Sequence, residues 1–213
     1  FLPTTKEEMK NLGWDSIDVL LISGDTYLDT SYNGSALVGK WLVEHGFKVG
    51  IIAQPEVDVP DDITRLGEPN LFFAISGGCV DSMVANYTAT KKRRQQDDFT
   101  PGGVNNKRPD RAVLVYSNMV RRFFKGTTKK IVISGIESSL RRITHYDYWT
   151  NKLRKPILFD AKADILSYGM GEMSMLQLAN ALKNGEDWKN IRGLCYLSKE
   201  MKEDSLSLPS HSE

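Results

Sequence analysis

Cysteine and histidine are scarce in this chain, with two and three respectively among 213 residues. Cys79 and Cys195 lie far apart, so no disulfide framework is expected. A cluster held by protein thiolates needs three or four of them, and structural zinc a similar set of Cys and His. His45, His145 and His211 are not paired at ligand spacing, so neither kind of metal site is expected in these residues. Long apolar runs are missing too. A membrane-spanning helix needs about 20 apolar residues in a row, whereas Ile17–Ser23 and Lys130–Gly135 have the length of buried strands. The first residues, Phe1 to Glu8, lack the basic-then-apolar layout of a secretory signal. A cytoplasmic protein without a membrane partner is the expectation. Nucleotide signatures are absent as well. No Gly-x-Gly-x-x-Gly follows the first apolar run, and no Gly-x-x-x-x-Gly-Lys-Ser/Thr occurs, so neither a dinucleotide site nor a P-loop is supported. The Asp-x-His-x-x-Gly pattern that supplies a lower axial histidine in some cobalamin domains is also missing, since Asp25-Thr26-Tyr27-Leu28-Asp29 holds no histidine.

What is present reads as a globular domain. Hydrophobic residues make up 40% and charged residues 26% of the chain, ordinary values at a length that suits one large domain. The net charge of +1 hides an asymmetry. Residues 88–155 hold 17 Lys/Arg against 5 Asp/Glu, leaving 11 basic and 22 acidic residues elsewhere. A basic middle raises the case for an anionic partner, RNA included. The rival reading is a solvated surface whose charges pair with the acidic flanks.

Five apolar runs, Ile17–Ser23, Lys48–Gln54, Asn70–Ser76, Lys130–Gly135 and Ala163–Gly169, are separated by helical patterns. They are near-continuous rather than alternating, the mark of strands buried on both faces of a helix-covered parallel sheet. Leu194–Ser198 is a sixth, edge candidate. Leu37, Val38, Trp41, Leu42 and His45 recur at helical spacing before Gly46; Ala112, Tyr116, Val120 and Phe123 do so before Gly126. Val80, Met83, Val84 and Tyr87 predict a helix after the third strand, and Met175, Ala179 and Leu182 one that ends near Gly185. The expected fold is α/β and doubly wound, with a mostly parallel five- or six-stranded, flavodoxin-like sheet. Two stretches break the rhythm. Residues 88–108 form a long polar loop with Lys91-Lys92-Arg93-Arg94, of a length that is usually functional, partner-bound or disordered. Residues 199–213 read as a linker.

Ligands of open α/β sheets bind outside the carboxyl ends of the strands, where strand order reverses. The residues predicted there are Asp25 and Thr26 after the first strand, Ser76, Gly77 and Gly78 after the third, Gly135 and Glu137 after the fourth, and Gly169 and Glu172 after the fifth. Plain strand-to-helix turn geometry accounts for these glycines equally well. The densest cluster of chemistry is Ser138 to Trp149, with Arg141, Arg142, His145, Tyr146, Asp147, Tyr148 and Trp149. Arginine forks bind phosphates or carboxylates, and aromatic faces stack on bases. Arg141, Arg142, His145, Tyr146 and Tyr148 are therefore candidates for contact with a substrate or partner. The alternative is an amphipathic segment docked on the core, its arginines paired with Asp147 or the acidic flanks. No catalytic residue and no metal ligand stand out.

Several runs are also similar to family signatures: Phe1-Leu2-Pro3-Thr4-Thr5, Gly46 to Pro55, Asn86 to Arg94, Asp98 to Gly103, and Arg108-Pro109-Asp110-Arg111-Ala112. Gly135 to Arg142, His145-Tyr146-Asp147-Tyr148-Trp149 and Tyr168-Gly169-Met170-Gly171-Glu172 complete the set. Together they resemble the YgiQ-like radical S-adenosylmethionine (SAM) proteins, a bacterial group without an assigned reaction. The resemblance implies a parent enzyme with a [4Fe–4S] cluster and SAM on a later barrel, bound through a Cys-x-x-x-Cys-x-x-Cys motif that is absent here. Residues 1–198 would then be an accessory, substrate-recognising amino-terminal domain that is not catalytic alone and has the barrel as its intramolecular partner. Residues 199–213 would lead toward that barrel. The family's amino-terminal region is similar in layout to cobalamin-binding domains, with glycine turns after the fourth and fifth strands, so a degenerate cobalamin domain is one alternative, against which the missing histidine counts. An RNA-binding module built on residues 88–155 is the other.

Overall fold

The computed structural model describes residues 1–27, 34–201 and 205–209. His211 and the Leu28-Asp29 end of the first strand-end turn lie outside the described residues. The elements run α1 (Lys6–Asn11), β1 (Val19–Ser23), α2 (Gly34–Glu44), β2 (Val49–Ala53), α3 (Pro60–Thr64), β3 (Phe72–Ser76), α4 (Ser82–Asn86) and α5 (Ala112–Phe123). Then follow β4 (Lys130–Ser134), α6 (Gly135–Leu140), β5 (His145–Asp147), β6 (Lys152–Arg154), α7 (Ile157–Ala161), β7 (Ile165–Ser167), α8 (Glu172–Asn184) and β8 (Leu194–Tyr196).

The main sheet has the order β2-β1-β3-β4-β7-β8, parallel throughout except for β8, which runs antiparallel to β7 at the edge. The apolar runs make this sheet because each strand is buried on both faces. Leu20, Ile22, Phe73, Ile75, Ile131 and Ile133 point to one side, where Val113, Tyr116 and Val120 of α5 cover them. Val19, Leu21, Phe72, Ala74, Val132 and Ile165 point to the other, against Leu42 of α2 and Leu178 and Ala179 of α8. Alternation within a strand thus feeds two cores, which is why the chain winds on both faces. The outer edge of β2 does not stay bare, since the Ile51 N–H donates to the Pro3 carbonyl at 3.0 Å. A capping box between Thr5 and Glu8 then starts α1.

The five expected strands and the edge strand are all present, each trimmed at its ends. The helical patterns hold for α2, α5 and α8, and Gly46, Gly126 and Gly185 stop them with positive φ. The pattern after β3 yields only the short α4. The single amphipathic segment considered for Ser138 to Trp149 is corrected: α6 ends at Leu140 and a two-stranded hairpin, β5–β6, begins at His145. No helix among the described residues is long and apolar enough to cross a membrane.

Candidate functional site: the strand-end crevice and its strap

The chain runs outward from β1 to β2, then crosses back to place β3 on the other side of β1. Neighbouring loops part at this reversal and leave a crevice. Each strand that borders it ends in serine. Ser23 pairs across to Ser76, and Ser76 to Ser134. The Ile133–Leu166 pair sets Ser167 next in the row. All four share the face of Leu21, Ala74 and Val132, so small side chains stand where large ones would have filled the space under α2 and α8. The result is a cavity of about 300 Å³ lined by Ser23, Asp25, Ser76, Gly78, Ser134, Gly135, Gly169 and Glu172, with Leu21, Val38, Ala74 and Met175 as its apolar wall.

Close backbone approach shapes its floor. A Cβ on Gly24 would lie 2.2 Å from the Gly77 carbonyl oxygen, and one on Gly78 would lie 2.2 Å from Asp25 Oδ1. Gly78 also holds φ at 114°, so no other residue fits there. The Asp25 carboxylate accepts from the Cys79 N–H at 2.6 Å and from Arg108 Nη2 at 2.6 Å. Arg108 is wholly buried, and its Nε–H donates to the Gly24 carbonyl at 2.9 Å. Asp97, also buried, stands 3.4 Å from its Nη1.

That arginine ends the polar loop, which is a strap closed over the crevice rim. The Thr26 N–H donates to the Phe99 carbonyl at 2.9 Å, and Gln54 Nε2 donates to Thr100 Oγ1 at 2.7 Å. Tyr87 bridges Arg93 and Gln96 bridges Val104, which folds the strap on itself. The basic run at its start stays at the surface.

The predicted strand-end residues therefore divide. Asp25, Ser76, Gly78, Gly135, Gly169 and Glu172 meet in one cavity. Thr26 lies under the strap, and Gly77 packs against Glu137. Glu137 points to the opposite face of the sheet. It is buried and accepts from the Ser82 N–H at 3.0 Å and the Val113 N–H at 3.3 Å, holding the starts of α4 and α5 together. Burial pushes its carboxyl above the usual carboxylate range, only partly offset by the hydrogen bonds from Ser82. Sequence reasoning missed Ser23 and Ser134 in the cavity and Ser167 beside them in the row, although a serine near the end of the first, third, fourth and fifth apolar runs was there to be read. Arg108 gave no such signal beyond its place in a family-like run.

The second predicted cluster is not one site. Arg141 is taken up by an ion pair with Asp81 and by the Glu137 carbonyl at 3.1 Å. Pairing of the arginines with Asp147 does not occur, because Asp147 belongs to Arg111 at 2.7 Å and to Thr150. Arg142 donates to the Ser139 carbonyl at 2.7 Å and lies 5.2 Å above the Tyr168 ring, beside Gly169 at the crevice mouth. His145 turns Nδ1 to the Ile143 carbonyl, and burial lowers its pKa, which keeps it neutral near pH 7. Tyr146 and Tyr148 stand outward on the hairpin.

The cysteines do not assemble a metal site. Cys79 lies at the crevice, where burial first and the Asp25 charge second push its thiol up to about 12. A thiol so protonated is a poor ligand and nucleophile. Cys195 sits on β8 with its pKa also raised by burial. Among the described residues no three His, Cys, Asp or Glu side chains come together to hold a metal ion. Among the described residues no set of thiolates comes together that could hold an iron–sulfur cluster.

Residues 1–213 match a family model described as Radical SAM N-terminal. The chain belongs to that family. Members similar to it include a UPF0313 protein of Fusobacterium nucleatum, 97% identical over 213 residues. A UPF0313 protein of Thermotoga neapolitana is 54% identical over 216 residues. One from Methanocaldococcus jannaschii is 50% identical over 222. The whole chain is covered in each case, yet it spans only 36–38% of these relatives' lengths. The resemblance to YgiQ-like radical SAM proteins holds, and the chain corresponds to their amino-terminal domain. In fold, this Radical SAM N-terminal domain is similar to part of TsrM, a radical SAM methyltransferase of Kitasatospora setae. The TM-score is 0.56 at 16% identity with tryptophan and a SAM analogue bound to TsrM, covering 85% of this chain and 28% of TsrM. It is 0.53 for TsrM with cobalamin and a [4Fe–4S] cluster.

Proposed function

We propose that this domain, residues 1–198, is an accessory part of a radical SAM enzyme that faces the catalytic barrel of the same polypeptide and helps select its substrate, with residues 199–213 as the link. One observation carries the reading: exposed apolar side chains stand at the crevice. Ile136 of α6 and Met170, just before α8, line it while 42% and 87% exposed, and Leu140 further along α6 and Met173 in α8 are exposed as well. Such a patch beside a built cavity marks an interface, and the relatives' additional length supplies a covering domain. Arg142, the one arginine of the pair left at the crevice mouth, is the residue placed to meet an anionic substrate group. The cluster and SAM would supply the radical chemistry from the barrel.

The test is anaerobic reconstitution of this chain and of the full-length Fusobacterium relative with iron, sulfide and SAM. Iron and 5′-deoxyadenosine in the longer protein alone are expected; stoichiometric iron in the 213-residue chain would sink the accessory reading. Met170→Asp in the full-length protein should open the interdomain contact to limited proteolysis.

A second reading, a corrinoid in the crevice, is supported by the serine-lined cavity and the fold shared with TsrM. No described histidine lines the crevice, so a corrinoid held there would be bound through Ser23, Asp25, Ser76 and Ser134 and the glycine backbone rather than through an imidazole of these residues. Hydroxocobalamin added to the chain should then co-elute on gel filtration with a shifted spectrum. A colourless protein peak counts against it.

A further inference from the structure

The hairpin β5–β6 stands apart from the main sheet and turns one face outward. Tyr146 pairs with Leu153 across it, and Tyr148 lies in the turn that follows β5. These three side chains are 58%, 60% and 48% exposed, whereas Asp147 between the tyrosines is buried. Tyr146 and Leu153 thus form an open pair more than half exposed on the ribbon's outer face.

The ribbon is tied to the basic turn of the strap. The Tyr148 hydroxyl donates to the Ala89 carbonyl at 2.7 Å, and the Lys91 ammonium lies 4.6 Å above the Tyr148 ring. Behind them Trp149 packs between Tyr87 and Tyr148, at 5.3 and 5.5 Å between ring centroids. Two segments 50 residues apart in sequence thus form one surface, with Lys91, Lys92, Arg93 and Arg94 on the strap and Lys152 and Lys155 on the ribbon, all exposed. Within residues 88–108 and 145–155 the acidic side chains are Asp97, Asp98 and Asp147. Asp97 and Asp147 are buried against Arg108 and Arg111, leaving Asp98 as the exposed carboxylate. Just past the strap, the exposed Asp110 lies 3.6 Å from Arg93. Lys91, Lys92, Arg94, Lys152 and Lys155 are exposed without a carboxylate partner among the described residues, so the positive field is reduced at Arg93 but not cancelled.

We infer that the outer face of this hairpin, with the basic strap turn beside it, binds single-stranded nucleic acid. Tyr146 offers an open ring for base stacking, Tyr148 is held in place by the strap, and the lysines and arginines lie where a phosphate backbone would pass. An acidic peptide would use the cations but not the aromatic stripe, and duplex nucleic acid buries the base faces that the stripe needs. None of these surface residues lines the crevice cavity, so this inference stands or falls separately from the accessory reading.

The test is fluorescence anisotropy of the 213-residue chain with a labelled mixed-sequence 20-mer RNA, its duplex, and heparin as competitor. Single strand is expected to bind more tightly than duplex, with affinity falling as salt rises from about 50 to 200 mM. Tyr146→Ala should weaken single-strand binding by about tenfold. Its far-UV circular dichroism should stay unchanged and its melting temperature should fall by no more than about a few degrees, since among the described residues the Tyr146 hydroxyl bonds Asn151 on its own turn. Lys92→Glu is the second variant and should reduce the slope of log affinity against log salt by about one or two. No binding at about 50 mM salt overturns the inference. So does binding that Tyr146→Ala leaves unchanged, or duplex held as tightly as single strand.

Discussion

The strap and the hairpin belong to one basic stretch of sequence, yet they use their charges in opposite ways. The strap sends one arginine inward. Arg108 loses all contact with water and gains Asp25, Asp97 and the Gly24 carbonyl. The hairpin keeps Asp147 inside, clamped by Arg111 and Thr150, and turns Tyr146, Tyr148 and Lys152 out. A charge that closes a structure and a charge that offers a surface cannot be told apart by counting lysines and arginines. What separates them is whether a carboxylate waits on the core side.

The contrast breaks first at Arg108. Arg108→Ala strands two buried carboxylates and should cost about 3–5 kcal/mol, read as a lowered chemical-denaturation midpoint and as early proteolysis within 88–108. An unchanged midpoint would mean the strap is not closed by this ion pair. The corresponding hairpin change, Asp147→Asn, leaves the half-buried Arg111 and the Thr150 hydroxyl without a charged acceptor and should cost about 1–3 kcal/mol.

Asp147 also sharpens the contrast through acid. Burial alone would raise its pKa, but hydrogen bonds from Thr150 and Arg111 outweigh that and hold it at about 2, below the ordinary 3.8. The unfolded chain therefore takes up this proton first as pH falls. Its stabilisation is complete above the ordinary value and disappears as pH drops through about 2. Urea midpoints measured across that window should fall more steeply in the parent than in Asp147→Asn; parallel curves would place the acid sensitivity elsewhere.

Smaller effects follow where the two regions touch. Tyr148→Phe removes only the bond to the Ala89 carbonyl and should cost about 0.5–1.5 kcal/mol, with faster hydrogen exchange near Ala89. Lys92→Ala, on the outward side, should change stability by less than about 0.5 kcal/mol. A larger loss would show that the strap's exposed cations are structural after all.

Much of the fold was legible because burial on both faces writes itself into near-continuous apolar runs, and helix stops into glycine. Gly46, Gly126 and Gly185 end helices as their positions implied. The short helices α3, α6 and α7 left no periodic trace, since five or six residues are too few for a pattern to repeat, while the pattern from Val80 to Tyr87 foretold α4 but made it too long. The crevice was half legible. Asp25, Ser76, Gly78 and Gly135 follow from the rule about strand ends, but the direction of Glu137 does not. A residue three positions into a strand-to-helix turn can face either layer, and here two helix starts on the far side claim its oxygens. Partner choice explains the rest: Arg141 and Asp147 are neighbours in sequence, yet each bonds to a residue far away in the chain, Asp81 and Arg111 respectively.

The bond between Asp25 and Arg108 joins residues 83 positions apart. Closing so long a loop has an entropic cost that only an assembled sheet can offset, because β1, β3 and the strap must all be present before the carboxylate and guanidinium meet. The clasp therefore belongs to the last stage of folding, and its amide protons should exchange by a local opening that leaves the strands intact. The crevice would then exist before its cover. A ligand would find the strap side of the rim unlatched in the nearly folded chain and latched once the arginine is home, with the mouth beside Gly169 and Met170 still available.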